Sequence, residues 1–144
     1  MNNIIIKDWS NCCDYEKVNG LYVLKQNVYI EFTYNGSRLR FIVDKGAMTD
    51  GLSVPKIFRW YLPDWNDKNI LYNIAGICHD GMYGSELISK DIADLIFYNG
   101  LVKAGISKTK ASAAKYAVQY LAGLHYGKEH DDFGISPYCH LIIM

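Results

Sequence analysis

Residues 28–43 read Val-Tyr-Ile-Glu-Phe-Thr-Tyr-Asn-Gly-Ser-Arg-Leu-Arg-Phe-Ile-Val, and this stretch decides the fold of the N-terminal third. Both of its ends are rich in β-branched and aromatic residues, which favour strands. Asn35-Gly36 lies between them, and because both residues tolerate positive φ, the dipeptide predicts a tight hairpin turn. A run of similar character, Leu21–Leu24, precedes the stretch. The sequence therefore predicts an antiparallel sheet in this part of the chain.

The pattern becomes helical after Pro55. Ser89 and Ser107 each precede an amphipathic run as N-cap candidates, and Gly105 is a stop signal for the helix before it. The predicted helices cover residues 56–62, 68–82, 89–104 and 107–124. We therefore expect an α+β fold, with an N-terminal antiparallel β-sheet (hairpin) packed on a C-terminal bundle of about four helices.

The length of 144 residues fits a single domain with a core large enough to need no disulfides. Within residues 1–144 we distinguish four parts by their composition. They are a β-rich part (1–47), a corner that carries a motif (48–55), a helical part (56–124) and an irregular tail (125–144).

The composition excludes several classes of protein. Half of the residues are hydrophobic, and 15 basic side chains balance 15 acidic ones, which argues against disorder and against binding to a nucleic-acid backbone. No window approaches the roughly 20 apolar residues of a membrane span. The cysteines, Cys12, Cys13, Cys78 and Cys139, match neither a zinc site nor a disulfide framework, so we expect reduced thiols in a cytoplasm.

The most informative motif is His79-Asp80-x-x-Tyr83. One helical turn is about 3.6 residues, so Tyr83 lies on the same face as His79, whereas Asp80 points about 100° away. The connection over residues 84–89 is short, so the next helix must be an antiparallel neighbour. We therefore predict that Asp94 on that helix returns a carboxylate to His79 and forms a hydrogen bond with it.

The corner between the sheet and the helices has two interpretations. Asp50-Gly51 is a turn signal, and Val54 before Pro55 is biased away from helix, so the corner can be a simple strand-to-helix connection. Alternatively, the corner presents Asp50 and Ser53 towards the helix of His79. In that case residues 50–55 pack against that helix and form the mouth of the main pocket, because clefts favour such seams.

These motifs together resemble a family of small phage and prophage proteins known only as a domain of unknown function. The resemblance covers roughly residues 40–123 and is carried by Thr-Asp-Gly-Leu-Ser-Val-Pro at 49–55, by His79-Asp80 with Tyr83, and by Asp94 followed by Phe97 and Tyr98. It implies a phage or prophage origin and a location in the cytoplasm of the bacterial host or in the virion. It implies no particular activity.

A looser resemblance is to the catalytic helix of phospholipase A2. It implies that His79 is a general base for water, Asp80 a Ca²⁺ ligand, Tyr83 a hydrogen-bond partner and Asp94 the carboxylate that orients the imidazole. The glycine-rich calcium loop and the disulfide-forming cysteines of that family are absent from this sequence. Asp50 and the backbone carbonyls of the corner are candidates to replace the loop, since calcium takes about six to eight oxygen ligands.

Other chemistries remain as alternatives. Ser53 with His79 and Asp94 has the composition of a nucleophilic triad, although nothing marks Ser53 as a nucleophile elbow. A zinc site would use His125, Glu129 and His130, but Gly127 argues against an intact helix there. The same His-Asp cluster is also a common way to satisfy polar groups in a small core.

Two function classes therefore stay open. In the first, the chain is a phage-encoded accessory protein that binds host or virion components, and the His79, Asp80 and Asp94 cluster is structural or binds a small ligand. Its partner, a host or phage protein, would contact an aromatic patch at residues 58–65, whose aromatic and Arg composition is typical of interface hot spots. In the second, the chain is a metal-assisted hydrolase with His79 as general base.

Overall fold

The computed structural model describes residues 3–51, 62–121, 126–127 and 134–144. The strands are β1 (Ile4–Trp9), β2 (Tyr15–Val18), β3 (Leu21–Leu24), β4 (Val28–Tyr34), β5 (Ser37–Val43), β6 (Met48–Thr49) and β7 (Cys139–Ile143). The helices are α1 (Ile70–Ser85), α2 (Lys90–Lys103) and α3 (Lys108–Tyr116), and α3 continues into a π-helical turn, Ala117–Leu121. A short 3₁₀ turn, Ser136–Tyr138, precedes β7.

The strands form two antiparallel sheets. The larger sheet has the order β1-β4-β5-β7, and the smaller one has the order β2-β3-β6. The hairpin of the larger sheet is the predicted one, because Tyr34 pairs with Ser37 across a two-residue turn. Asn35 and Gly36 have φ values of 50° and 91° in that turn, so this prediction is confirmed.

The main core lies between the larger sheet and the first two helices. Alternate residues of β4 and β5 point to this face, as the pleat of a strand requires, and α1 crosses both strands while α2 contacts β1. The sheet contributes its most deeply buried side chains to this core: Val28, Ile30, Phe32, Phe41 and Val43. A second cluster, built around Tyr72, Phe97 and Leu101, joins α1 and α2 to α3.

The opposite face of the larger sheet carries a charged cluster. Glu31 is buried there beneath Arg38 and Arg40, and each guanidinium forms two hydrogen bonds with its carboxylate. Hydrogen bonds from Arg40 and Arg38 lower the pKa of Glu31, outweighing the effect of burial. Arg40 also lies over the ring of Tyr29, 4.1 Å from its centroid. Paired side chains therefore cover the carboxylate of Glu31 on this face.

The helix ends largely follow the predicted signals. The side chain of Ser107 accepts a hydrogen bond from the amide of Lys110, and Gly105 has a φ of +94° after the end of α2. Ser89 occupies the N-cap position of α2, but its side chain makes no capping hydrogen bond. The positions of these boundaries are confirmed, although one of the expected caps is absent.

Two predictions about the architecture need correction. The tail was expected to be irregular, but Cys139–Ile143 is strand β7 and pairs with β5 along its whole length. The expected bundle of about four helices is also wrong in count and order, because the described residues contain three α-helices and the chain returns to the sheet after them. The predicted helix at 56–62 lies almost entirely outside the described residues, which resume at Leu62.

A close contact at Gly81 fixes the distance between α1 and the sheet. A Cβ atom at this position would lie 2.9 Å from Sγ of Cys139 and 3.0 Å from a ring carbon of Phe41. Such distances are shorter than van der Waals contact, so only glycine lets the helix pack this closely.

We therefore predict that Gly81→Ala destabilises the protein by about 1–3 kcal/mol through overpacking, although alanine is otherwise the better helix former. Urea unfolding measures the change. The matched control introduces Gly81→Ala into a Cys139→Ala background, where the missing sulfur leaves room and the loss should be smaller. An unchanged or higher stability of the single variant would contradict the proposed contact.

Candidate functional site

The candidate site lies between α1 and α2. Asn69 caps the start of α1 by accepting a hydrogen bond from the amide of Tyr72, and Glu86 ends it with a left-handed φ of 57°. The chain then enters α2 within a few residues, so the two helices pack side by side as the short connection predicted. His79 and Tyr83, one turn apart on α1, both face α2.

Asp94 on α2 is the centre of the hydrogen-bond network. Its Oδ1 accepts from Nε2 of His79 at 2.9 Å and from the hydroxyl of Tyr83 at 2.5 Å. Its Oδ2 accepts from Nζ of Lys90 at 3.1 Å. The exposed fraction is 1% for Asp94 and 4% for His79. The predicted hydrogen bond between His79 and Asp94 is therefore confirmed, and the network is almost completely shielded from solvent.

Burial and hydrogen bonding together determine the protonation states in this network. Burial lowers the pKa of His79, and this effect outweighs the opposing influence of Asp94, so the imidazole is neutral near pH 7. Burial alone would raise the pKa of Asp94, but hydrogen bonds from His79 and Tyr83 lower it further than burial raises it. The pKa of Tyr83 is raised, first by burial and then by Asp94. An ionised carboxylate thus accepts hydrogen bonds from a neutral imidazole and a neutral phenol, while Lys90 supplies the counter-charge.

The imidazole of His79 is also held by aromatic rings. Its centroid lies 4.2 Å from that of Tyr83 and 4.6 Å from that of Phe97. Nε2 is bound to Asp94, whereas no group in the described part of the chain forms a hydrogen bond with Nδ1. The ring is therefore fixed in orientation through one of its two nitrogens.

A third segment, the π-helical turn after α3, joins the network. Nζ of Lys90 donates to the carbonyl of Gln119 at 3.1 Å, and the hydroxyl of Tyr83 lies 3.4 Å from the carbonyl of Val118. A π-helical turn displaces the regular i→i−4 bonds, which makes such carbonyls available to side chains. Lys90 was not among the predicted site residues, although its i, i+4 spacing to Asp94 indicates an ion pair on one helix face.

Asp80 points away from this network, as the helical spacing predicted. Its Oδ2 accepts a hydrogen bond of 2.7 Å from the hydroxyl of Thr49, whose Oγ1 in turn accepts from the amide of Gly51. The start of the corner therefore contacts α1 through Thr49, while Asp50 next to it is half-buried. Ser53 and the rest of the corner (52–55) lie outside the described residues, so its predicted role as a nucleophile stays a prediction.

The described residues do not assemble a metal site. Nowhere in residues 3–51, 62–121, 126–127 and 134–144 do three His, Cys, Asp or Glu side chains converge, and the predicted Ca²⁺ ligands Asp80 and Asp50 form no such group there. The alternative zinc residues, at positions 125, 129 and 130, lie outside this part of the chain.

Two adjoining clefts flank Cys12, far along the chain from the predicted site. One, of about 330 Å³, lies between Cys13, Tyr15 and Asp67, and the other, of about 400 Å³, lies between Trp9, Asn27 and Tyr29. Cys12 is exposed and accepts a hydrogen bond from the amide of Gln26, whereas burial raises the pKa of Cys13 to about 12. No sequence signal beyond the adjacent cysteines pointed to these clefts.

Residues 58–61 of the predicted aromatic patch at 58–65 lie outside the described residues, which include its end at 62–65. Trp65 stacks on Tyr22 with a centroid distance of 4.2 Å and meets Tyr15 edge-on at 4.8 Å. This tryptophan is therefore packed within the chain, against the smaller sheet.

Among the helices in the described residues, none combines the length and apolar character that crossing a membrane requires.

A match to a known protein family covers most of the chain. A family model described as "Protein of unknown function (DUF1353)" matches residues 26–118, which is more than half of the chain, so the chain belongs to this family. The matched region includes His79, Asp80, Tyr83 and Asp94. No curated protein and no solved structure shows a significant match. The expectation of an uncharacterised family is confirmed, whereas the phage origin stays a prediction.

The geometry predicts different effects for two replacements of His79. His79→Ala leaves the buried carboxylate of Asp94 without one of its donors and should lower the free energy of unfolding by about 1–3 kcal/mol. His79→Gln can place its Nε2 amide near the position of the imidazole nitrogen and should lose less. Urea unfolding of both variants tests this, and equal losses would show that the hydrogen bond to Asp94 contributes little.

The lowered pKa of His79 predicts a specific pH dependence. Between the ordinary histidine pKa of about 6.5 and the lower folded value, the unfolded state binds the extra proton, so stability falls as the pH falls. The slope attributable to this residue is at most about 1.4 kcal/mol per pH unit. Urea unfolding between pH 7 and pH 5 should show a shallower decline for His79→Gln than for the wild type, while the other histidines are common to both. Identical slopes would contradict a lowered pKa.

Proposed function

We propose that this member of the DUF1353 family is a non-enzymatic accessory protein of a phage or prophage, which acts by binding a component of the host or virion. The observation that carries the proposal is the burial of His79 within a network in which Asp94 uses both of its carboxylate oxygens. The phage origin rests on the resemblance of the motifs at 49–55, 79–83 and 94–98.

The burial of the network favours a structural role over a catalytic one. A general base must come within hydrogen-bond reach of the proton that it removes. His79 is only 4% exposed and packs against two aromatic rings, so a substrate has little access to it. The negative charge of Asp94 is already balanced by Lys90, and its carboxylate already accepts a hydrogen bond from Tyr83. A satisfied polar network of this kind specifies how helices pack in a core.

A binding protein needs a surface on which polar and aromatic groups are accessible. The adjoining clefts on either side of Cys12 provide such a surface, and each falls within the size range of small-molecule sites. Trp9, Tyr15 and Tyr29 line these clefts together with amide and carboxylate side chains. The chemistry suits a polar small ligand or an extended peptide segment that carries hydrogen-bonding groups.

One observation favours the second candidate, a hydrolase. Nε2 of His79 is bound to Asp94, while Nδ1 has no hydrogen-bond partner among the described residues. In this alternative Nδ1 would take a proton from water and Asp94 would orient the imidazole, as in the resemblance to phospholipase A2. Asp80 and Asp50 would then be the candidate Ca²⁺ ligands.

The two candidates are separated by complementation of a phage or prophage that lacks this gene. We expect His79→Gln to restore the wild-type phenotype, because it keeps a donor to Asp94 but cannot act as a base. Cys12→Trp should abolish the phenotype by filling both clefts, and Val18→Trp, at another exposed position, is its matched control.

The same variants have a biochemical readout. Two results together would contradict the binding proposal and support the hydrolase. The first is that His79→Gln loses the phenotype. The second is that the wild type hydrolyses phospholipid vesicles in Ca²⁺ and the variant does not. A general-base loss typically lowers the rate by about 10²-fold or more, which such an assay resolves.

A further inference from the structure

Positive charge is concentrated in one part of the chain. Residues 95–127 contain four of the chain's 15 basic side chains and none of its 15 acidic ones. Three of these four, Lys108, Lys110 and Lys115, lie on helix α3, which is only nine residues long. The balanced net charge of the whole chain, which argues against binding to nucleic acid, therefore conceals a local excess of positive charge.

The first turn of α3 carries lysines against the helix dipole. Lys108 and Lys110 stand in this turn, which contains no acidic residue. The amino end of a helix is already positive, so lysines there destabilise it, whereas anions are favoured. The sequence thus places positive charge where it opposes formation of the helix, and an anionic partner would relieve this repulsion.

Two tyrosines lie on the exposed side of α3 and the π-helical turn that follows it. The exposed fraction is 57% for Tyr116 and 65% for Tyr120, and their ring centroids lie 4.7 Å apart. The residues that α3 contributes to the second core cluster are instead small, namely Ala111 and Ala114. Neither tyrosine ring is therefore needed for the core, and both present aromatic surface to solvent.

The lysines and the tyrosines occupy one surface. Lys108 and Lys115 are seven residues apart, close to two helical turns, so they lie in line on α3 about 10 Å apart along its axis. Tyr116 follows Lys115 directly, and Nζ of Lys115 lies 5.9 Å from the ring centroid of Tyr98 on α2. We name this region the α3 surface, and it consists of Tyr98, Lys108, Lys115, Tyr116 and Tyr120.

We propose that the α3 surface binds single-stranded nucleic acid, with Lys108 and Lys115 on the phosphates and the rings of Tyr116 and Tyr120 stacked on unpaired bases. Basic side chains beside exposed aromatic rings are how proteins bind single strands without reading their sequence. The bases must be unpaired, because those of a duplex stack on each other and offer no face to a tyrosine.

The α3 surface is separate from the clefts on either side of Cys12. The two share no residue, since the clefts are lined by residues of the first two strands, the loops beside them and the start of α1. A nucleic acid on α3 is therefore a second ligand, in addition to the one proposed for the clefts.

The exposed residues of α3 fit a nucleic acid better than a membrane. A helix that lies on a membrane inserts leucine, phenylalanine or tryptophan side chains into the lipid. The exposed side of α3 carries Thr109 and Ser112 beside its lysines, whereas Ala111 and Ala114 are buried. The surface thus supplies positive charge and rings for stacking, but little aliphatic area for lipid.

Fluorescence anisotropy with the full chain tests the proposal. The probes are labelled oligothymidylate and oligouridylate of about 15 nucleotides, a length comparable with known single-strand sites. We expect a Kd of about 100 µM or tighter at low salt. Contacts of two lysines with phosphates predict that log K falls with log salt with a slope of about −1.4. The stronger of the two probes identifies DNA or RNA as the source of the strand.

Lys108→Gln removes one of the charges that we assign to phosphates. The salt dependence should become shallower by about 0.7, the value for one phosphate contact on a single strand. Lys45→Gln is the matched control, because it changes the net charge equally at an exposed position between β5 and β6. An equal change of slope in both variants would contradict a site on α3.

Tyr116→Ala removes one of the stacking rings and should weaken binding by at least about 5-fold, whereas Tyr116→Phe keeps the ring and should bind as the wild type does. Because Tyr116 is mainly exposed, neither change should alter the circular dichroism spectrum. Equal affinities of the two variants would contradict the stacking of a base on this tyrosine.

Two results with the wild type would overturn the proposal. One is that neither oligonucleotide binds at chain concentrations up to about 500 µM, several-fold above the weakest Kd expected. The other is binding to vesicles that contain phosphatidylglycerol but to neither oligonucleotide, which would give the surface to a membrane. Cys12→Trp should bind the oligonucleotides as the wild type does, so failure of this inference is distinguishable from failure of the function proposed for the clefts.

Discussion

The buried carboxylate of Asp94 is the interaction on which the arrangement of the helices depends. An ionised carboxylate that is removed from water destabilises a fold by several kcal/mol unless donors and a counter-charge surround it. Here His79 and Tyr83 supply donors from α1, and Lys90 supplies the charge. Lys90 also binds the carbonyl of Gln119, so the segment after α3 is tied to the same group. One side chain therefore couples three parts of the helical region.

The sheet positions this network through close packing. Gly81 lets α1 approach Phe41 and Cys139, and the same helix presents Asp80 to Thr49 at the corner of the smaller sheet. On this helix, His79 and Tyr83 therefore face α2, whereas Asp80 faces the smaller sheet. The result is a shielded His-Asp pair in the interior and polar clefts at the surface around Cys12. This division of roles is the physical basis for proposing a binding protein.

Local signals in the sequence predicted much of this structure. Asn35-Gly36 fixed the hairpin, and the spacing of His79, Tyr83 and Asp94 across a short connection was enough to predict their contact. Strand β7 was missed because its partner, β5, lies about a hundred residues earlier, and a short apolar run carries no signal for a pairing so distant in sequence. The π-helical turn was missed because its carbonyls find their partners only in the folded chain.

The most direct test of the central claim is the protonation state of His79, measured from the ¹⁵N chemical shifts of its imidazole in the folded protein. The network predicts a neutral ring with its proton on Nε2 at pH 7, and a pKa below the ordinary histidine value of about 6.5. A ring that titrates near that ordinary value, or that carries its proton on Nδ1, would contradict the proposal that a buried, neutral His79 holds the carboxylate of Asp94.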